Sequence, residues 1–113
     1  MSKRKLVTLM IDKVTKNKDE TLAVYFGYKN RGTHTLTLTQ DQSYLYVRKG
    51  GAIVYPDHPP IEIRPGRHKQ CFKTIIMKNT ELFWNVRKER IVITYAKANH
   101  FYLKSQKLLN QEN

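Results

Sequence analysis

Thr21-Leu22-Ala23-Val24-Tyr25-Phe26-Gly27-Tyr28-Lys29 alternates cleanly, with Leu22, Val24, Phe26 and Tyr28 on one face. Period-2 alternation of this kind marks a strand with one buried side. The same pattern extends in both directions. Upstream, Lys5 to Val14 sets Leu6, Thr8 and Met10 against Val7, Leu9 and Ile11, and Asn17-Lys18-Asp19 supplies a polar turn. Downstream, Asn30-Arg31-Gly32 is a second turn, and Thr33 to Thr39 alternates threonine with His34, Leu36 and Leu38. Ser43 to Arg48 sets Tyr44 and Tyr46 opposite Leu45 and Val47.

The middle of the chain is punctuated differently. Gly50-Gly51 and Pro56-Asp57-His58-Pro59-Pro60 bracket Ala52 to Tyr55, which reads as a loop or an edge because proline removes ladder donors. After Pro65-Gly66 come three further runs: Lys69 to Met77 with Phe72, Ile75 and Ile76; Leu82 to Val86 with Trp84; and Arg90 to Tyr95 with Ile91, Ile93 and Tyr95 on one face. Arg87-Lys88-Glu89-Arg90 is a charged hairpin tip. About seven strands with turn signals every 8–12 residues or so predict an all-β, antiparallel, immunoglobulin-like sandwich. Its expected core includes Leu22, Val24, Phe26, Phe72, Trp84 and Ile93. The pattern breaks near the end, giving one domain over residues 1–97 and a tail or short helix without a strong cap over residues 98–113.

The chain has 113 residues, enough to bury a core without disulfides or a structural metal. Its single cysteine, Cys71, excludes an internal disulfide and a Cys-rich zinc site. The start, Met1-Ser2-Lys3-Arg4-Lys5-Leu6, has the basic character of a leader, but Thr8, Asp12 and Lys13 interrupt any apolar stretch behind it. No run approaches the roughly 18 apolar residues of a membrane span. These features lead us to expect a soluble protein made in the cytoplasm, with secretion left open if a leader has been removed.

Charge is the unusual property. Lysine and arginine number 21 against nine acids, a net charge of +12. That exceeds the roughly 2–8 units that keep a small domain soluble. It suits an anionic partner: nucleic acid, an acidic membrane, an acidic polysaccharide or an acidic protein surface. Three clusters are candidates for that contact: Lys3, Arg4 and Lys5, followed by Lys13, Lys16 and Lys18; Arg64, Arg67, His68, Lys69 and Lys73; and Arg87, Lys88 and Arg90. Such groups bind phosphates or carboxylates through charge-assisted hydrogen bonds. The alternative is a set of solvated turns and edge strands, where lysine prevents unwanted pairing.

Several residues together resemble a small immunoglobulin-like module found repeatedly in bacterial secreted and surface proteins. They are Tyr25-Phe26-Gly27-Tyr28-Lys29-Asn30, then Ile63-Arg64-Pro65-Gly66-Arg67-His68, then Phe72 and Trp84. The module's pattern is Tyr-Phe-Gly-Tyr-x-Asn, an aromatic-x-Pro-Gly-Arg-His turn, a phenylalanine and a Leu-x-Trp-like strand; Ile63 stands here at the aromatic position. The resemblance covers roughly residues 22–86 and implies a structural or binding part with no catalytic activity. The residues have a scaffold reading of their own. Gly27 in mid-strand suggests a bulge or a close approach, Asn30 suits a turn, and Trp84 is suited to fill the space between sheets.

No catalytic constellation is visible. His34, His58, His68 and His100 are scattered without ligand spacing, and the nine acids occur without a carboxylate pair. Cys71 has basic neighbours that would favour a thiolate, yet it sits in a strand beside Phe72 where packing is the default. No phosphate loop, dinucleotide fingerprint or calcium loop is present, and no cofactor is implied. The expectation is a non-enzymatic structural component of a multi-protein assembly, with a virus particle's minor capsid or cement protein as the leading example. Phe101, Tyr102, Leu108 and Leu109 would anchor its tail on a neighbour. The alternative is non-specific binding of nucleic acid or another anionic surface.

Overall fold

A computed structural model describes residues 6–54 and 58–111. Lys3, Arg4 and Lys5 lie outside the described residues, as does the side chain of Leu109. Strand β1 (Val7–Lys16) pairs antiparallel with β2 (Leu22–Asn30). Strands β3 (Leu36–Thr37), β4 (Ser43–Lys49), β5 (Ala52–Val54) and β6 (Glu62–Ile63) follow, then β7 (Gly66–Ile76), β8 (Thr80–Val86) and β9 (Glu89–Thr94). Helix α1 (Tyr95–Gln111) ends the described chain. The molecule is thus mostly antiparallel β-sheet with one C-terminal helix.

Two sheets face each other in a sandwich-like arrangement. One has the order β1-β2-β7, the other β5-β4-β8-β9, and β3 with β6 forms a separate short ribbon. The alternating residues of β2 supply one wall of the core, since Leu22, Val24, Phe26 and Tyr28 are all buried. The rings of Phe26 and Phe72, from the first sheet, lie 5.4 and 4.8 Å from Trp84 in the second. Burying one such side chain contributes about 1.5–3 kcal/mol. Leu22, Val24, Phe26, Trp84 and Ile93 are fully enclosed, and Phe72 packs half-buried against them.

The elements depart from the sequence-based reading where side chains redirect the backbone. Of Thr33 to Thr39, only Leu36 and Thr37 form a strand. Asn30 is buried and holds the loop before that strand with its amide. Its Nδ2 donates to the carbonyls of Ile63 at 2.9 Å and His34 at 3.2 Å, and its Oδ1 accepts from the Gly32 N–H. Strand β7 starts at Gly66 rather than Lys69, and β1 runs on to Lys16. The Ala52 stretch is an edge strand paired with β4. The last strand stops at Thr94, so Tyr95 is helical rather than part of it. Thr94 supplies the missing cap, its Oγ1 accepting the Lys97 N–H at 3.2 Å. The helix therefore grows directly out of β9, and Ala98 is packed in the core.

One knot ties the first sheet together. Asp12 sits at a register shift in β1, and β7 has its own irregularity opposite Gly27, where Gln70 takes a left-handed backbone with φ 51°. Between them, the Asp12 carboxylate binds the Arg67 guanidinium and accepts the Gln70 N–H at 2.8 Å. Arg67 also donates to the carbonyl of His68 at 2.7 Å. The contact passes directly over Gly27. A Cβ there would lie 1.9 Å from Asp12 Oδ2 and 2.6 Å from the His68 carbonyl oxygen.

Gly27→Ala should therefore destabilise the protein by about 2–3 kcal/mol, the scale of forced overpacking. Gly51→Ala, with nothing within 4 Å of the added carbon, should stay within about 0.5 kcal/mol of the parent. Urea unfolding of the two variants checks this; equal midpoints would contradict the close crossing at Gly27.

Candidate anion-binding face

The three-stranded sheet concentrates the positive charge. Its strands carry Lys13, Lys16, Lys29, Arg67, Lys69 and Lys73 against one acid, Asp12. The four-stranded sheet is nearly balanced, with Arg48, Lys49 and Arg90 against Glu81 and Glu89. Asp12 is also already engaged by Arg67, so it offers little compensation to the lysines around it.

Strand register assembles the centre of this face. Lys13, Tyr25 and Lys73 are paired neighbours across β1, β2 and β7. Their alternation points them away from the core, because Val14, Val24 and Thr74, the next row, are buried. The Lys13 and Lys73 ammonium groups lie 5.7 and 5.8 Å from the Tyr25 ring centroid. The electron-rich ring attracts both cations. Lys29 follows four residues further along β2, and beyond the strand end Arg31 donates to Thr8 Oγ1 at 2.6 Å. Each ammonium group of the row can bind a phosphate or a carboxylate through a charge-assisted hydrogen bond.

The three sequence clusters are redistributed by the fold. Lys13 of the first cluster joins Lys73 of the second, whereas Lys16 turns to Glu20 at 3.6 Å and to the Tyr102 ring. Within the second cluster, Arg67 is used on Asp12, and His68 packs its ring 4.9 Å from Tyr28 with Nε2 against the Pro65 carbonyl. Arg64 is exposed and anchors its backbone N–H on the Tyr28 hydroxyl at 3.0 Å, and Lys69 is exposed beside the left-handed Gln70. In the third cluster, Arg87 and Lys88 form the exposed β8–β9 turn, but Arg90 lies over the Phe83 ring and donates to Asn85 Oδ1. Of the expected tail anchors, Phe101 and Tyr102 pack half-buried against the protein's own core, and Leu108 is exposed.

Sequence reasoning missed three participants, Tyr25, Lys29 and Asp12. Tyr25 was one member of an alternating strand, and its place between two lysines depends on register. Asp12 and Arg67 are 55 residues apart, so their pairing has no local signal beyond an isolated acid within a basic, apolar strand.

The other chemical candidates remain apart. Among the described residues, no group of three or more His, Cys, Asp or Glu side chains is placed to hold a metal. Cys71 donates its thiol to the Phe26 carbonyl at 3.4 Å, and burial pushes its pKa up, which favours the less reactive thiol form. Among the described residues, no helix is long and apolar enough to cross a membrane. No protein-family model, curated protein or solved structure matches this chain.

Proposed function

We propose that this is a non-enzymatic binding protein that docks on the phosphate backbone of nucleic acid through the outer face of its three-stranded sheet. The observation that carries the reading is the Lys13–Tyr25–Lys73 row, set in a sheet whose one acid is already paired. Nucleic acid fits because its charges repeat along a line, as the lysines do across the strands. Contacts to phosphates supply affinity without base readout, and no sequence-reading motif accompanies the charge.

The scaffold under this face is an immunoglobulin-like module in our reading. The opposition of β1-β2-β7 to β5-β4-β8-β9 supports it. The residues that carry the resemblance to bacterial surface modules fit a scaffold role. Gly27, Asn30, Arg67, His68, Phe72 and Trp84 all make internal contacts that hold the sandwich.

A second reading, a component of a larger protein assembly such as a virus particle, is favoured by a separate observation. Leu103 and Leu108 stay exposed on α1, at 53% and 63%. Removing the whole tail would not test this reading, since Ala98 belongs to the core. Leu108→Glu is the better probe. It should release the chain from its complex in native extract, as read by sedimentation, and leave nucleic-acid affinity unchanged; unchanged sedimentation contradicts the assembly reading.

Labelled DNA and RNA titrated at two salt concentrations test the first reading. Affinity should fall steeply with salt, with a slope of about 0.9 per duplex phosphate contacted. The pair Lys13→Glu and Lys73→Glu should lower affinity at least tenfold and flatten the slope by about two. Absence of binding at low salt, or a slope untouched by the substitutions, contradicts it.

A further inference from the structure

The outer face of the four-stranded sheet carries a different arrangement. Phe83 points outward from β8, paired with Tyr46 of β4 and Val92 of β9, yet it is only 6% exposed. Its cover is aromatic and cationic. The Tyr46 ring stacks on it at 4.6 Å with planes 11° apart, and Tyr44 continues the series at 6.1 Å and 15°. The guanidinium groups of Arg48 and Arg90 lie 5.2 and 5.6 Å from the Phe83 centroid.

The end of this stack has an unused donor. Asn85 lies between Tyr44 and Arg90 in the strand register and is 4% exposed. Its Oδ1 accepts from Arg90 Nε at 2.6 Å, but its Nδ2 has no hydrogen-bond partner. A buried amide donor left without an acceptor is unfavourable and asks for a cause. The two arginines also differ. Arg48 is 3.3 Å from Glu81, whereas the side-chain partner of Arg90 is a neutral amide, so its positive charge is not offset by that contact.

We propose that this face binds an unpaired nucleobase, with Tyr44 as its stacking platform, Arg90 on the adjoining phosphate and Asn85 Nδ2 donating to an acceptor on the base edge. The inference rests on the reading of this chain as a nucleic-acid binder and deepens it, because a base free to stack must come from a single strand. Near-parallel rings invite another flat ring, and bases stack on aromatic side chains with little regard to sequence. The cation beside the stack matches the negative charge that accompanies every base. A duplex keeps its base faces inside its own stack and cannot offer them to Tyr44.

Fluorescence anisotropy at low salt, with an oligothymidylate and an abasic oligomer of equal length, tests the site. The oligothymidylate should bind at least about fivefold more tightly. Tyr44→Leu should erase that ratio, while Lys13→Glu and Lys73→Glu should weaken the abasic oligomer. An iodouracil-substituted oligomer photocrosslinked to the unaltered protein should map to Tyr44, which keeps the test independent of how the variant folds. Equal binding of the two oligomers overturns the stacking site and leaves backbone docking intact. A ratio that survives Tyr44→Leu, or crosslinks confined to Tyr25 or α1, overturns its location. Failure of both oligomers to bind overturns the nucleic-acid reading itself.

Discussion

The ion pair between Asp12 and Arg67, laid across Gly27, is the constraint on which the first sheet depends. It joins the two outer strands over the middle one, at the point where both depart from regular pairing. A slip of one residue in any of the three would turn buried side chains outward. It would also break the contact of Asp12 with Arg67 and the Gln70 N–H. The neighbouring rows inherit this register. On the inner side, Phe26 stacks on Phe72 at 5.2 Å and both meet Trp84. On the outer side, Lys13 and Lys73 converge on Tyr25.

The same ion pair shapes the electrostatics. It occupies the sheet's one acid, and the cost is a single arginine. The remaining lysines stand on a surface with little negative charge near them, an arrangement that repels itself and gains from an anion. The opposite sheet is nearly balanced in charge, and its two arginines lie over the Phe83 ring. On the proposed reading, the two faces divide the work between charge and stacking. The helix closes neither sheet's outer surface; it packs mainly against β1, β2 and β9.

Much of the fold is legible in the chain because alternation is a local property. Leu22 to Tyr28 shows its buried face by spacing alone, and Trp84 stands out as the largest apolar group in a short run. The failures come from side chains that act at a distance. Asn30 looks like an ordinary turn residue, yet its amide ties the His34 carbonyl of the threonine-rich stretch and the Ile63 carbonyl of β6 together. Thr94 reads as an interior strand residue, yet it ends the strand and caps a helix. The candidate site is less legible. Proximity in sequence groups Arg67 with Lys69 and Lys73, but pairing sends Arg67 to Asp12 and brings Lys73 to Lys13. Charge counted strand by strand carries part of that signal; register, which depends on the bulges at Asp12 and Gln70, carries the rest.

Mapping of backbone amide chemical shifts during titration with an abasic phosphodiester oligomer tests the central claim most directly, since such a chain offers phosphates and nothing to stack. The account predicts the largest shifts at Lys13, Tyr25, Lys29 and Lys73, fading as salt is added. Shifts confined to α1 or to the β8–β9 turn, with the three-stranded sheet unmoved, would contradict it.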